Sequence, residues 1–279
     1  MLPFKIDLTG KTVVITGGGG VLCSEFAYAL AECGANIALL DIRLEHAQAV
    51  AEKIGANAIA IQADALKRDS LESARKIVAE KFGACDILIN GAGANRPECT
   101  TKEEYFLPEH LDDANSVNFF NILPENLRFV FDINFTSAFL TTQVFAIDMI
   151  GKKDCSVLNI SSMNAFTPLT KIPAYSAAKS AVSNFTQWLA VHFSKVGIRV
   201  NAIAPGFFVS DQNRALLFNP DGTPTARAGK ILAATPMGRF GEAGELIGAL
   251  LWLCSSAGSG FVNGIVVPVD GGFSAYSGV

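Results

Sequence analysis

Short hydrophobic runs recur along the chain, separated by segments that mix hydrophobic and polar residues. Runs rich in β-branched residues are typical of buried parallel strands. Mixed segments, such as the predicted helix from Val21 to Cys33, alternate with them, which favours a parallel sheet with helices on both faces. The sequence therefore predicts a doubly wound α/β fold. The predicted strands are Thr12 to Thr16, Asn36 to Leu40, Ala56 to Ala63, Asp86 to Ile89, Cys155 to Ile160, Ile198 to Ala204 and Ile265 to Val269.

Two segments interrupt this alternation. The segment from about 95 to 125 has weak periodicity and follows a strand's carboxyl end, where such folds bind ligands. We interpret it as a wall or lid over a substrate, against the alternative of a decorative or oligomer-contact insertion. A second candidate lid spans about 207 to 234 and contains the turn sequence Asn219-Pro220-Asp221-Gly222.

The composition agrees with one soluble domain over residues 1–279. Half of the 279 residues are hydrophobic, enough for a large core. The formal charge is −4, from 22 basic and 26 acidic residues with no basic tract, which argues against nucleic acid and anionic membrane as partners. No apolar run reaches about 18 residues and the amino end lacks a signal-peptide pattern, so we expect a cytoplasmic protein without membrane spans.

Cysteine and histidine residues give no sign of a disulfide framework or a metal site. The 6 cysteines are scattered along the chain, and we expect them to be reduced and mostly buried. The 3 histidines have no partners at metal-ligand spacing, so no metal is predicted.

A glycine run follows the first predicted strand directly. Gly17 to Gly20 would let the backbone approach a pyrophosphate, whose charge would lie at the amino end of the next helix. Asp41 ends the second strand, where a carboxylate can accept hydrogen bonds from an adenosine ribose and repels a 2′-phosphate. This favours NAD. Arg43 could instead receive that phosphate, so NADP remains an alternative.

Tyr175 and Lys179 form a Tyr-x-x-x-Lys pair, with Ser162 thirteen residues upstream. On a helix the pair shares one face, as any two such neighbours would. A positive charge about 4 Å from the phenol would lower its pKa from about 10 towards neutrality, as acid–base catalysis at a carbonyl needs. Ser162 could hold the same substrate oxygen.

The glycine run and the Ser162, Tyr175 and Lys179 set resemble the motifs of the short-chain dehydrogenase/reductase family, and the resemblance extends over essentially the whole chain. Further matching motifs are Thr16-Gly17, Asp64, Asn90-Gly91-Ala92-Gly93, Asn134, and Pro205-Gly206 with Ser210. The resemblance implies a Rossmann fold, a homotetramer built partly on helices around 129–150 and 173–195, and catalysis by Asn134, Ser162, Tyr175 and Lys179. It places Asp64 at the adenine, Ser210 at the nicotinamide carboxamide, Lys179 at the nicotinamide ribose and a water on Asn134. The candidate cofactor-binding residues are Gly17, Gly19, Gly20, Val21, Leu22, Asp41, Ile42, Asp64, Ala65, Asn90, Gly91, Ala92, Tyr175, Lys179, Pro205, Gly206, Phe208 and Ser210.

Three residues depart from the family pattern. Val21 and Cys23 stand where the family usually has glycines, and Gly91 replaces the commoner second asparagine. Val21 requires a negative φ at that point, whereas Cys23 is small enough for close helix packing.

Residues 161–166, 205–208 and 270–279 are similar to the branch of the family assigned as D-mannonate oxidoreductases, or fructuronate reductases. This similarity implies a sugar-acid substrate, which needs a cation for its carboxylate and polar groups for its hydroxyls. Another sugar acid or a polyol, such as 5-ketogluconate, is an alternative. A non-catalytic NAD-sensing protein is another, although it would not need the complete catalytic set. The candidate substrate-binding residues are Asn95, Arg96, Ser162, Asn164, Tyr175 and Arg214, with Lys171, Gln212 and Asn213.

Overall fold

The computed structural model describes residues 6–113, 116–209 and 214–278, apart from the side chain of Leu216. Within them, 7 strands form one parallel sheet. The strands predicted from the sequence are confirmed, with ends that differ by at most two residues. They are Thr12–Thr16 (β1), Asn36–Asp41 (β2), Ala58–Gln62 (β3), Ile87–Asn90 (β4), Cys155–Ile160 (β5), Ile198–Pro205 (β6) and Val266–Val269 (β7).

The strand order is β3-β2-β1-β4-β5-β6-β7. After β3 the chain crosses back to place β4 beside β1, which creates a topological switch point between these two strands. Thr16 is in register with Leu40 of β2 and Asn90 of β4, so the turns after these three strands lie side by side. Open α/β sheets bind ligands at such a point, outside the carboxyl ends of the strands.

Helices cover both faces of the sheet. Along β1, Val13 and Ile15 point to the face covered by α1 and α9, whereas Val14 points to the opposite face, as the two-residue period of a strand requires. Both sets of side chains are fully buried, and the predicted doubly wound α/β class is confirmed. The helices are Val21–Glu32 (α1), Leu44–Ile54 (α2), Arg68–Phe82 (α3), Pro124–Phe131 (α4), Ser137–Phe145 (α5), Pro173–His192 (α6), Arg214–Leu217 (α7), Ala226–Ala233 (α8), Ile247–Cys254 (α9) and Ser256–Ser259 (α10).

A turn of π-helix, Asp132–Thr136, joins α4 to α5. The continuous helical segment Pro124–Met149 is long and apolar enough to cross a membrane, unlike the expectation that no stretch would be. Half of its most apolar window is buried, and its two parts pack against α6 and α3. The segment is therefore a core helix of this fold, because its apolar side faces the sheet and its neighbouring helices.

The segment predicted as an insertion has little regular structure. It contains three 3-10 turns, Pro97–Cys99, Pro108–Leu111 and Phe119–Asn121. Cys99 is buried against Val130 and Ala174, so the beginning of the insertion is anchored beside α4 and α6. Its middle exposes Tyr105 and Phe119. The second candidate lid contains α7 and α8 in its described part.

Candidate active site

A cleft of about 630 Å³ follows the carboxyl ends of β1, β2 and β4. Its walls are mostly apolar with a few polar groups, as is typical of cofactor sites. Most of the predicted cofactor-binding residues line it, namely Gly17, Gly20, Val21, Leu22, Asp41, Ile42, Asp64, Ala65, Gly91, Ala92, Gly206 and Phe208.

The glycine run is required by close packing on both sides. Gly17 has a φ of +65°, in the left-handed region that favours glycine. A Cβ on Gly18 would lie 2.8 Å from the Leu39 side chain, and one on Gly19 would lie 2.5 Å from His46. Helix α1 begins at Val21, so that residue has the negative φ that was expected. The amino end of α1 thus faces the cleft, and the backbone of the glycine turn before it carries no side chains. A pyrophosphate can therefore approach the backbone N–H groups closely.

Asp41 is buried at the end of β2. One of its carboxylate oxygens accepts from the Gly19 backbone N–H at 3.0 Å, and the other accepts from the Arg43 N–H at 3.0 Å. These bonds fix the carboxylate at the cleft wall, where it fits a ribose diol. The Arg43 side chain lines the same cleft. The residues present therefore fit a dinucleotide.

Asn90 corrects one expectation. Its amide nitrogen donates to Thr142 Oγ1 at 2.9 Å and to Asn159 Oδ1 at 2.8 Å, so the side chain points into the sheet and helix layer. Residues 91–94 line the cleft instead. Gly19 and Pro205 do not line the cleft either. The Gly19 N–H donates to the Asp41 carboxylate, and Pro205 is the buried last residue of β6. Ser210, Gln212 and Asn213 lie outside the described residues.

Two of the departures from the family pattern meet in space. Gly91 faces Cys23, and a Cβ added to Gly91 would overlap the Cys23 sulfur and lie 2.8 Å from the Thr16 carbonyl oxygen. Cys23 is buried, and all 6 cysteines are unpaired. The larger residue on α1 therefore occupies the space that the missing side chain at position 91 leaves open.

Ser162 lies beside Tyr175, and a side-chain hydrogen bond from Ser162 lowers the pKa of the Tyr175 phenol against the larger, opposite effect of burial. Ser162 follows β5 and its Oγ also accepts from the Asn164 N–H at 3.3 Å, which fixes the hydroxyl. Tyr175 lies in the first turn of α6, with Lys179 one turn further on. The structure thus brings together the three residues that the sequence pattern connected.

Burial determines the acid–base properties of this group. Burial raises the pKa of Tyr175 above its usual 10, and the hydrogen bond from Ser162 only partly opposes it. Burial also lowers the pKa of Lys179 to about 8. The expected lowering of the phenol pKa by Lys179 is therefore wrong for the protein chain alone. The ammonium lies 5.6 Å from the Tyr175 ring centre and donates to the Ile160 carbonyl oxygen at 2.8 Å.

Asn134 lies in the π-helical turn, an irregularity frequent at functional sites. Its amide nitrogen donates to the carbonyl oxygens of Ala94 at 2.6 Å and Val130 at 2.8 Å. Its Oδ1 is buried with no partner among the described residues. A Cβ on Gly93 would lie 2.7 Å from this Oδ1 and 3.2 Å from Lys179 Nζ, so both groups converge on the Gly93 backbone. A free acceptor beside the lysine donor fits the predicted role in proton transfer.

The candidate substrate residues are not all together. Asn164 is buried and its Oδ1 has no partner among the described residues. Asn95 is exposed and donates to Thr100 Oγ1 at 3.0 Å. The Lys171 ammonium donates to the Lys102 carbonyl oxygen at 2.6 Å. Arg214 is exposed on α7, with its guanidinium 5.7 Å from the Phe218 ring centre and away from the main cleft.

Arg96 is held by Phe129 and Asn126. Its guanidinium lies 3.6 Å from the Phe129 ring centre, and Nη1 donates to Asn126 at 3.2 Å. Phe129 belongs to the same apolar cluster as Tyr175. Arg96 is thus the predicted substrate cation whose packing partner, Phe129, belongs to the apolar cluster that includes Tyr175. Arg227 on α8 also lines the cleft, but it belongs to none of the motifs found in the sequence and was not predicted.

Known proteins resemble this chain along its length. The sequence pattern of the short chain dehydrogenases matches residues 11–218. UxuB, an uncharacterized oxidoreductase of Bacillus subtilis, is 51% identical over 100% of both chains. The 5-keto-D-gluconate 5-reductase of Escherichia coli is 32% identical over 95% of this chain and 96% of its own. A Haemophilus influenzae structure with bound NAD, provisionally named D-mannonate oxidoreductase, has a TM-score of 0.94 and 56% identity, covering 98% of each chain.

The contact between Gly91 and Cys23 predicts a coupled pair of substitutions. We expect Gly91→Ala to lower the free energy of unfolding by about 1–3 kcal/mol, because the added methyl group has no space. Adding Cys23→Gly should recover part of this loss, because it removes the sulfur that the new methyl group would overlap. The recovery should be incomplete, because the close contact with the Thr16 carbonyl oxygen remains. Urea unfolding of the single and double variants measures this coupling. Gly248→Ala, where an added Cβ meets nothing within 4 Å, is the control. Simple additivity of the two changes would contradict the packing argument.

The buried lysine predicts a pH dependence of stability in the absence of cofactor. Between the folded pKa of about 8 and the unfolded value of 10.5, the unfolded chain binds the lysine proton and the folded protein does not. Below about pH 8 the folded protein must bury a charged lysine, which lowers its free energy of unfolding. This cost disappears as the pH rises from about 8 to above 10.5. The difference in free energy of unfolding between wild type and Lys179→Met should increase by about 2 kcal/mol from about pH 8 to about pH 10. A difference that stays constant in urea unfolding over this range would contradict it.

Proposed function

Because the chain belongs to the short-chain dehydrogenase family, we propose that it is an NAD-dependent oxidoreductase that interconverts D-fructuronate and D-mannonate. The observation that carries this proposal is the pairing of Ser162 with Tyr175 and the buried Lys179, whose ammonium meets the Gly93 backbone in the wall of a dinucleotide-sized cleft. This arrangement supports proton transfer to a carbonyl oxygen next to a hydride donor. The cytoplasmic location and the homotetramer stay predictions of the sequence.

Asp41 supports NAD as the cofactor. Both carboxylate oxygens accept hydrogen bonds from backbone N–H groups, so the carboxylate keeps its position at the cleft wall when a ribose carries a 2′-phosphate. Placing that phosphate beside it would bring like charges together. The relative from Haemophilus influenzae contains bound NAD, which points the same way. Arg43 at the cleft wall keeps NADP as the alternative.

When bound, the nicotinamide supplies or accepts the hydride. The chain's own residues control the oxygen of the reacting carbon. Ser162 orients this oxygen, and Tyr175 donates its proton during reduction. Because burial raises the pKa of Tyr175, the phenol is protonated near neutral pH and ready to act as the acid. Lys179 and Asn134 Oδ1 meet at Gly93 behind Tyr175, where they can bind a ribose hydroxyl and a water that return the proton.

The sugar-acid part of the proposal depends on charge and hydrogen bonding around Tyr175. Arg96, stacked on Phe129, offers the edge of its guanidinium to a carboxylate. Asn164 Oδ1 is a buried acceptor for a substrate hydroxyl. Relatives of this chain include enzymes named for the keto sugar acids 5-keto-D-gluconate and 2-dehydro-3-deoxy-D-gluconate. Reduction of 5-ketogluconate is accordingly the second candidate, with the same residues in the same roles.

The substrate is tested by initial rates of NADH oxidation with D-fructuronate, tagaturonate, 5-ketogluconate and a neutral ketose, with NADPH as the cofactor comparison. We expect D-fructuronate with NADH to be preferred. Tyr175→Phe should lose about 10²–10⁴-fold in turnover, because the proton donor is gone, and should still bind NADH. Equal or better rates with NADPH would contradict the role of Asp41. Tight NADH binding without turnover on any compound would favour the sensor alternative.

The position of Arg96 predicts a selective effect on the substrate. Arg96→Gln should raise the KM for D-fructuronate by about tenfold or more, because a charge-assisted hydrogen bond to the carboxylate is lost. The Kd for NADH should not change. Arg214→Gln is the matched control, since that arginine lies away from the main cleft. A larger KM effect at Arg214 than at Arg96 would show that the carboxylate binds elsewhere.

A further inference from the structure

Arg227 brings a positive charge from the second lid to the wall of the cofactor cleft. It lies in the first turn of α8, which begins after Thr225, whose hydroxyl accepts from the Ala228 N–H at 3.2 Å. Ala228 and Ile231 are buried against Leu217, so α8 is fixed with its apolar side towards the lid's own small core. Arg227 lies next to this anchored side and is itself exposed.

The position of Arg227 differs from that of Arg43, the other cation of the cleft wall in the described part of the chain. Arg43 follows β2, beside the carboxylate of Asp41. Arg227 lies on α8, which packs with Phe207 and Val209 of the segment that follows β6. Strands β1, β4 and β5 separate β2 from β6 in the sheet, so Arg227 does not lie at the adenosine ribose end.

No described residue forms an ion pair or hydrogen bond with the Arg227 side chain. Other cations in the segments that follow β6 do form ion pairs with acidic side chains. Arg239, also beyond β6, forms a two-pronged ion pair with Glu245. The next cation on α8, Lys230, forms an ion pair with Glu104 of the insertion at 2.7 Å. Arg227 therefore lines the cleft without an anionic partner among the residues that the structure describes.

We infer that Arg227 binds the pyrophosphate of the dinucleotide. This inference rests on the proposed cofactor. NAD carries its negative charge on the pyrophosphate, and the planar guanidinium matches two phosphate oxygens at once. The amino end of α1 and the bare backbone of Gly17–Gly20 contact the pyrophosphate from the sheet side. Arg227 contacts it from the lid side, so binding of the cofactor holds α8 over the cleft.

Helix α8 also connects this contact to the substrate side of the molecule. Lys230 lies one turn after Arg227, and its partner Glu104 belongs to the insertion that begins beside Tyr175. The Lys230–Glu104 pair is exposed and contributes little to stability by itself. Lys230 is therefore a suitable control, because it is a cation on the same helix that already has an anionic side chain, Glu104, as its partner.

Titration of wild type, Arg227→Gln and Lys230→Gln with NADH and with ADP-ribose tests the inference, with binding followed by calorimetry. Arg227→Gln should raise the Kd of both ligands by about tenfold or more, since both contain the pyrophosphate, and the effect should shrink at high salt. Lys230→Gln should leave both Kd values within about twofold of wild type. Adenosine, which has no phosphate, should bind all three proteins alike.

An unchanged Kd for NADH in Arg227→Gln would overturn the role of Arg227. If the KM for the sugar acid rises in the same variant, Arg227 is assigned to the substrate carboxylate instead. Wild-type protein that binds neither NADH nor ADP-ribose would overturn the proposed cofactor itself, and is therefore distinguishable from a failure at Arg227.

Discussion

The site depends on the close approach of two turns at the switch point of the sheet. A Cβ on Gly17 would lie 3.1 Å from the Ala92 Cα, and one on Gly91 would overlap Cys23. A Cβ on Gly93 would displace Asn134 or Lys179. Because side chains are excluded at these points, the cleft, the amino end of α1 and Lys179 come close to one another.

Burial then gives the catalytic residues their chemistry. The same desolvation raises the pKa of Tyr175 and lowers the pKa of Lys179, since each shift disfavours the charged form. The phenol is left as a proton donor hydrogen-bonded to Ser162. Asn134 Oδ1, which has no partner among the described residues, and the Lys179 amine both lie against the Gly93 backbone. In the protein chain alone, Tyr175 is therefore protonated near neutral pH, the form that a proton donor needs.

Much of this arrangement could be predicted from sequence because it follows local rules. The β-branched runs predicted the strands, and the glycine run before α1 predicted the phosphate-binding turn with Asp41 opposite it. Contacts between distant residues could not be predicted in this way. The inward turn of Asn90 depends on Thr142 and Asn159, which are 52 and 69 residues away. The match between Cys23 and Gly91, the direction of the Tyr175 pKa and the place of Arg227 likewise depend on packing between separate elements.

We propose that this site transfers a hydride from NADH to the keto carbon of a sugar acid. The most direct measurement uses NADH fully deuterated at the nicotinamide C4, with D-fructuronate as the acceptor and NMR of the isolated product. We expect one deuterium on the carbon that was the carbonyl, with the hydroxyl proton taken from solvent through Tyr175. A reduced product without deuterium at that carbon, or bound NADH that is never oxidised, would contradict it.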